Sequence, residues 1–201
     1  MVNNTVTDST LEAAVERSPG WLADIRRAAW ERANKLPFPK SSDEYWRYTD
    51  LSLLKLEQYA PTVDAPAEPE LDKLPAEARS SLELSGISSG GKLVHVDGRP
   101  FSAELSPEAA EKGVIFTDLE TAVEDHGEIL RERLGQLVGP GDVFSAYNLA
   151  LHRGGTFLYV PEGVRLEAPL QALHWLSAEG ALVQPRTVVV VERGASVVFN
   201  D

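Results

Sequence analysis

Thr156-Phe157-Leu158-Tyr159-Val160-Pro161-Glu162-Gly163-Val164-Arg165-Leu166 and Thr187-Val188-Val189-Val190-Val191-Glu192-Arg193-Gly194-Ala195-Ser196-Val197 share one outline. Each is an apolar, β-branched or aromatic run, then two polar or turn residues, a glycine and a second short run. The runs read as strands. Glycine suits the corner because, lacking a Cβ, it tolerates positive φ. A strand–corner–strand unit cannot bury both of its faces alone, so the repetition points to stacked coils of a β-helix or to a jelly roll. The second copy continues through Val198-Phe199-Asn200-Asp201, whereas a solenoid closes with a capping repeat. The expectation is therefore a β-helix core that starts over 154–201 and is cut short, the chain being the front part of a longer protein.

Working back from that region, the first third reads as helix. Ser9-Thr10-Leu11-Glu12 has the form of a capping box. Pro19 opens a second helix with Trp21, Ile25, Ala28, Ala29 and Leu36 as its apolar stripe, and Pro37 and Pro39 end it. A short apolar stretch follows at Leu51, Leu53, Leu54 and Leu56. Between Pro61 and Pro75 lies a Pro/Ala/Glu stretch without periodicity, read as a linker or mobile loop over 61–91. Lys92–Val96 reads as a strand entering an Asp97-Gly98 turn, and Val114-Ile115-Phe116 as another. Ser106-Pro107-Glu108 starts a short helix that Gly113 ends, and Thr117-Asp118-Leu119-Glu120 is a further capping box. Ile129, Leu130, Leu134 and Leu137 space out an amphipathic helix, and Asp142 caps one more that runs to about His152. The expected organisation is a helical segment over 1–60, the linker over 61–91, a small mixed segment over 92–153, and the β-helix start over 154–201. The fold class is α+β.

The totals are those of a globular chain: 201 residues, 43% hydrophobic and 25% charged. Nineteen basic against 31 acidic residues give a net charge of −12. That balance repels phosphate backbones and argues against nucleic-acid binding. The absence of cysteine excludes disulfides and thiol chemistry in this segment and fits a reducing compartment. The polar start Met1–Asp8 lacks the pattern of a signal peptide, and no apolar run has the length of a membrane span. The expected setting is the cytoplasm, without membrane contact.

Asp43-Glu44-Tyr45-Trp46-Arg47-Tyr48-Thr49-Asp50-Leu51 is too particular for a generic loop. It resembles the D-E-x-W-R-Y-T-D-L signature of the SufB/SufD family of iron–sulfur cluster assembly proteins, in its SufD rather than its SufB form. Gly141-Asp142-Val143-Phe144-Ser145-Ala146-Tyr147-Asn148-Leu149-Ala150 is similar to the family's stretch before its β-helix. Gly155–Val164 with Ala168-Pro169-Leu170, and then Arg186–Asn200, resemble its first coils. The middle, roughly 61–121, matches less clearly. The resemblance implies a helical N-terminal part leading into a right-handed parallel β-helix. It implies a non-catalytic scaffold that pairs with a SufB-type β-helix subunit and acts with a SufC-type ATPase contacted through regions beyond this segment. No cofactor is expected on this segment, the iron–sulfur cluster and reduced flavin belonging to the full complex. Whether the segment forms a homodimer stays open.

No residue is assigned a catalytic, cofactor-binding or metal-binding role. His152 and His174 flank the first strand segment but have no ligand partner at a recognised spacing, so a backbone-satisfied or surface histidine is the reading for both. His95, beside the Asp-Gly turn, and His126, near a helix end, read as structural. Asp43, Glu44 and Asp50 read as acids at helix starts, and the Trp46-Arg47-Tyr48 core as docking the N-terminal part, with the arginine stacked on an aromatic. Val188–Val191 are expected to fill the core, with Arg186 and Glu192 turned outward. Two alternatives remain: a carbohydrate-active β-helix enzyme, which needs clustered acids or a basic coil face, and a cupin-like metal enzyme, which needs a tight histidine/glutamate cluster.

Overall fold

The computed structural model describes residues 6–51, 54–61, 76, 77, 80 and 89–201. Most of the linker read over 61–91, and Leu53, lie outside the described residues. In chain order the first elements are α1 (Asp8–Glu16), α2 (Gly20–Lys35), β1 (Ala60–Pro61), β2 (Gly91–Val96), β3 (Arg99–Leu105), α3 (Pro107–Glu111) and β4 (Ile115–Asp118). There follow α4 (Leu119–Asp125), α5 (Gly127–Arg133), α6 (Val143–Leu151), β5 (Thr156–Val160), β6 (Leu170–Trp175), β7 (Ala181–Leu182), β8 (Val188–Val191) and β9 (Phe199–Asn200). The protein mixes helix and sheet, and its residues divide into two units. One comprises Met1–Asp64, Glu128–His152 and Glu179–Gln184; the other comprises Ala65–Gly127, Arg153–Ala178 and Pro185–Asp201.

The first unit is built on α1, α2 and α6. Helix α1 starts earlier than its sequence suggests: the amides of Thr10 and Leu11 already donate to Thr7 O, at 3.0 and 3.2 Å. Ser9 therefore lies inside the helix and Thr7 caps it. Pro19 stands before α2, as read. The buried face of α2 is Leu22, Ala23, Arg26, Ala29, Trp30 and Ala33, rather than the stripe through Trp21, Ile25 and Ala28. The reason is Arg26, which sits in the middle of the true face. Its guanidinium donates to Ala150 O at 2.8 Å, His152 O at 3.0 Å and Ser18 Oγ at 2.9 Å. Carbonyls at the end of α6 have no partner within their own helix, so a buried charged donor is accommodated there. Arg26→Ala is expected to cost about 2–3 kcal/mol, the scale for stripping buried acceptors of a charged donor, read as a shift in the urea midpoint. An unchanged midpoint would mean that the carbonyls find other donors. Above this, Trp30 meets Tyr147 edge-on at 5.5 Å and donates to Asp8 Oδ1 at 2.8 Å. Helix α5 buries Leu130, and Leu134 just past it, but stops before Leu137, which is 97% exposed. Gly135, at φ +80, turns the chain out of the helix first.

The second unit is a pair of sheets. In one, the order is β3-β2-β6-β9; in the other, β4-β5-β8. Strands β2, β6 and β9 run parallel, as do β5 and β8, while β3 and β4 are antiparallel additions. The two copies of the repeat lie side by side. Phe157 pairs with Val188, Val160 with Val191, and at the corner Arg165 bridges Ser196 at the same offset. Gly163 and Gly194 turn their corners with φ +74 and +72. Between the sheets pack Leu93, Val114, Phe116, Leu158, Val160 and Leu170, joined by Val164, Leu166, Ala195, Val197 and Phe199 from the corners and edges. Burial of each large apolar side chain contributes about 1.5–3 kcal/mol. The turn Asp97-Gly98, with φ +51 and +79, joins β2 to β3 as a tight hairpin. Asp118, and not Thr117, caps α4: its Oδ1 accepts from Glu120 N at 2.8 Å and Thr121 N at 3.4 Å. Thr117 is held in β4, opposite Phe157.

Candidate functional site

The aromatic signature folds as a short turn of helix, Glu44–Trp46, in the first unit. Asp43 Oδ2 accepts from Lys40 N at 2.9 Å, and Glu44 pairs with Arg47 at 2.9 Å. These acids make local contacts and are not set across a cleft. Arg47 lies over the Tyr48 ring at 4.7 Å, so the expected arginine–aromatic stack is present. Of the Trp46-Arg47-Tyr48 core, Trp46 docks on the helices, meeting Phe144 of α6 at 5.4 Å, and Phe38 joins it there at 5.1 Å. Tyr45, 97% exposed, and Tyr48 point away into solvent.

In the second unit the parallel stack leaves β8 and β9 as the last strands of their sheets among the described residues. The valine run of β8 does not fill the core as a block. Val190 is buried, whereas Val189 and Val191 are each 43% exposed, as a strand alternates its faces. Arg186, expected outward, is buried. Its backbone N–H donates to Gly154 O at 3.3 Å, and burial lowers the pKa of its guanidinium. Glu192 is half-buried. Across the two corners Arg193 pairs with Glu162 at 3.2 Å, both exposed, so the pair contributes little to stability.

The histidines divide in the same way. His152, buried at the end of α6, has Nδ1 at 3.1 Å from Leu149 O. His126 ends α4, its N–H on Ala122 O. His95 is fully buried, with Nε2 2.9 Å from Asp118 Oδ2. His174 is neither backbone-satisfied nor a free surface residue: its Nε2 is 2.9 Å from Asp201 Oδ1. The His95 and His174 rings stack at 4.7 Å with 5° between their planes. The sequence could not bring these two together, because their contact depends on the β2–β6 register that sets His95 opposite His174. Among the described residues no group of three or more His, Cys, Asp or Glu side chains is placed to hold a metal ion, and no helix is long and apolar enough to cross a membrane.

The family model for the SufBD protein N-terminal region matches residues 8–172. The chain belongs to the SufBD family. An iron-sulfur cluster assembly SufBD family protein of Staphylococcus epidermidis is 29% identical over 210 residues, covering 100% of this chain and 43% of its own length. A SufBD family protein of Staphylococcus aureus strain USA300 is 28% identical over 196 residues, covering 93% of this chain and 41% of its own. The chain thus spans less than half the length of these curated SufBD relatives. The SufBD match takes in the aromatic signature, helices α1 to α6 and the strands from β1 to the first half of β6, while β7, β8 and β9 lie beyond it.

Proposed function

We propose that this chain serves in iron–sulfur cluster assembly as part of a SufD-type scaffold subunit in the cytoplasm. It is non-catalytic, carries a parallel β-helix, pairs with a SufB-type β-helix subunit and works with a SufC-type ATPase. The cluster is the cargo of the complex. The observation that supports this most is the parallel stacking of the two repeat copies at one offset, from Phe157–Val188 to Arg165–Ser196. On its outer face β8 exposes Val189 and Val191, apolar surface of the kind that a partner covers. Membership of the SufBD family supplies the process. The parallel register of the two repeat copies supports the β-helix reading.

Affinity purification of the N-terminally tagged protein from its native host is expected to recover a SufB-type and a SufC-type partner. The double substitution Val189→Lys and Val191→Lys puts two charges on that face and is expected to cut the recovered SufB-type partner by about tenfold or more. The overall fold should be kept, since both side chains already reach solvent. Recovery of neither partner with the wild-type chain would sink the scaffold reading. Unchanged recovery with the double variant would move the pairing surface elsewhere.

A further inference from the structure

The stacked histidines of the second unit are bracketed by two carboxylates whose oxygens are all engaged. Asp118 Oδ1 accepts from the amides that begin α4, leaving Oδ2 for His95 Nε2. Asp201 Oδ2 accepts from the Thr187 hydroxyl at 2.8 Å, leaving Oδ1 for His174 Nε2. Each Nε2 therefore carries the donated proton, and each neutral ring has a bare Nδ1. Both Nδ1 atoms are buried and have no hydrogen-bond partner. Charging His174 adds an N–H at Nδ1, where no acceptor stands, and sets a positive charge face-on to the His95 ring.

We propose that His174 is an acid-sensitive latch on the seam between β6 and β9. Neutral, it stacks on His95 and holds Asp201 against the first coil; protonated, it gains a buried donor without an acceptor, and the seam loosens. The groups acting on it come from three elements: His95 on β2, Asp118 at the end of β4, and Asp201 just past β9. Around them, Arg99 on β3 acts on Asp97, Glu120 of α4 pairs with Arg153 at 3.6 Å, and Thr187 before β8 offers only its hydroxyl. Burial first, and the facing His95 second, lower the pKa of His174 from 6.5, against the pull of Asp201 and Asp118. A histidine whose folded pKa lies below its unfolded value leaves stability intact above 6.5. That stability is lost as the pH falls from there toward the folded pKa.

The test is amide exchange on the intact chain at about pH 7.5 and about pH 5.5, corrected for intrinsic rates, alongside an NMR titration of the imidazoles. With four histidines in the chain, each ring is separately assignable. The Leu170 amide, which donates to Val198 O at 2.9 Å, reports the β6–β9 seam. The Glu192 amide, which donates to Val160 O at 3.0 Å, reports β5–β8. Acidification is expected to lower Leu170 protection by a few-fold, with about tenfold as the ceiling, and Glu192 protection far less, with the difference gone in His174→Gln. The His174 midpoint should lie below 6.5 and fall further in Asp201→Asn, which removes a carboxylate that favours the cation. A midpoint above 6.5, parallel loss at both amides, or retention of the difference in His174→Gln would each overturn the latch.

Discussion

Gly155→Ala is expected to cost about 4 kcal/mol, the upper range for a single substitution, and to leave the second unit largely unfolded at temperatures where the parent is folded. Gly155 has φ +111, a region that a residue with a Cβ rarely adopts. Space is the larger problem. A Cβ there lands on the backbone of Arg186, 2.5 Å from its N and 2.7 Å from its C, with its carbonyl oxygen nearer still. Backbone cannot rotate away as a side-chain tip does. Moving Arg186 breaks its amide's bond to Gly154 O, and moving Gly155 breaks the bond from Leu119 N to Gly155 O at 2.9 Å, which ties the start of α4 to β5. The comparison is Gly163→Ala. Gly163 also has positive φ, at +74, but a Cβ there meets nothing within 4 Å. Only conformational strain remains, about 1 kcal/mol. Urea unfolding of the pair separates the two terms. Equal losses would show that the close approach to Arg186 relaxes without cost.

What the sequence made legible follows from what each signal measures. Short-range chemistry read well: Ser106 capping α3, Asp142 capping α6 and the Asp97-Gly98 hairpin all appear, because each depends on residues within a turn of one another. Single positions slipped where a distant partner decided. Arg26 belongs to the buried face of α2 although its sequence does not suggest it, because an arginine there looks polar until the α6 carbonyls are in place. Arg186 is buried against its polar character for the same reason, its surroundings coming from residues far along the chain. Leu137 fitted the helical spacing, but spacing does not register that Gly135 has already ended α5. The repeat itself was visible, since both corners keep their glycine. The pairing of His95 with His174 was not, because residues 79 positions apart meet only through a sheet register. The antiparallel strand β3, with Pro100 inside it, carries a weak strand pattern and takes its place from the hairpin turn.

Asp118→Ala is expected to be the second most damaging change, at about 3 kcal/mol. One side chain does two jobs there. Losing the cap of α4 costs about 1 kcal/mol. Leaving the Nε2–H of His95 without an acceptor, in a site that is fully buried, costs about 1–3 kcal/mol more. Asp118→Asn separates the two. The asparagine oxygen still accepts from Glu120 N, so the cap survives, but the atom facing His95 becomes an amide N–H. His95 must then accept at Nε2, and a neutral ring can do so only by moving its proton to Nδ1, where the structure provides no partner. The expected result is a loss smaller than that of Asp118→Ala, about 1–2 kcal/mol, together with a change of His95 from the Nε2–H to the Nδ1–H tautomer, visible in the imidazole 15N shifts. If Asn and Ala cost the same and the tautomer stays put, Asp118 acts as a helix cap alone, and the His95 contact contributes nothing to the fold.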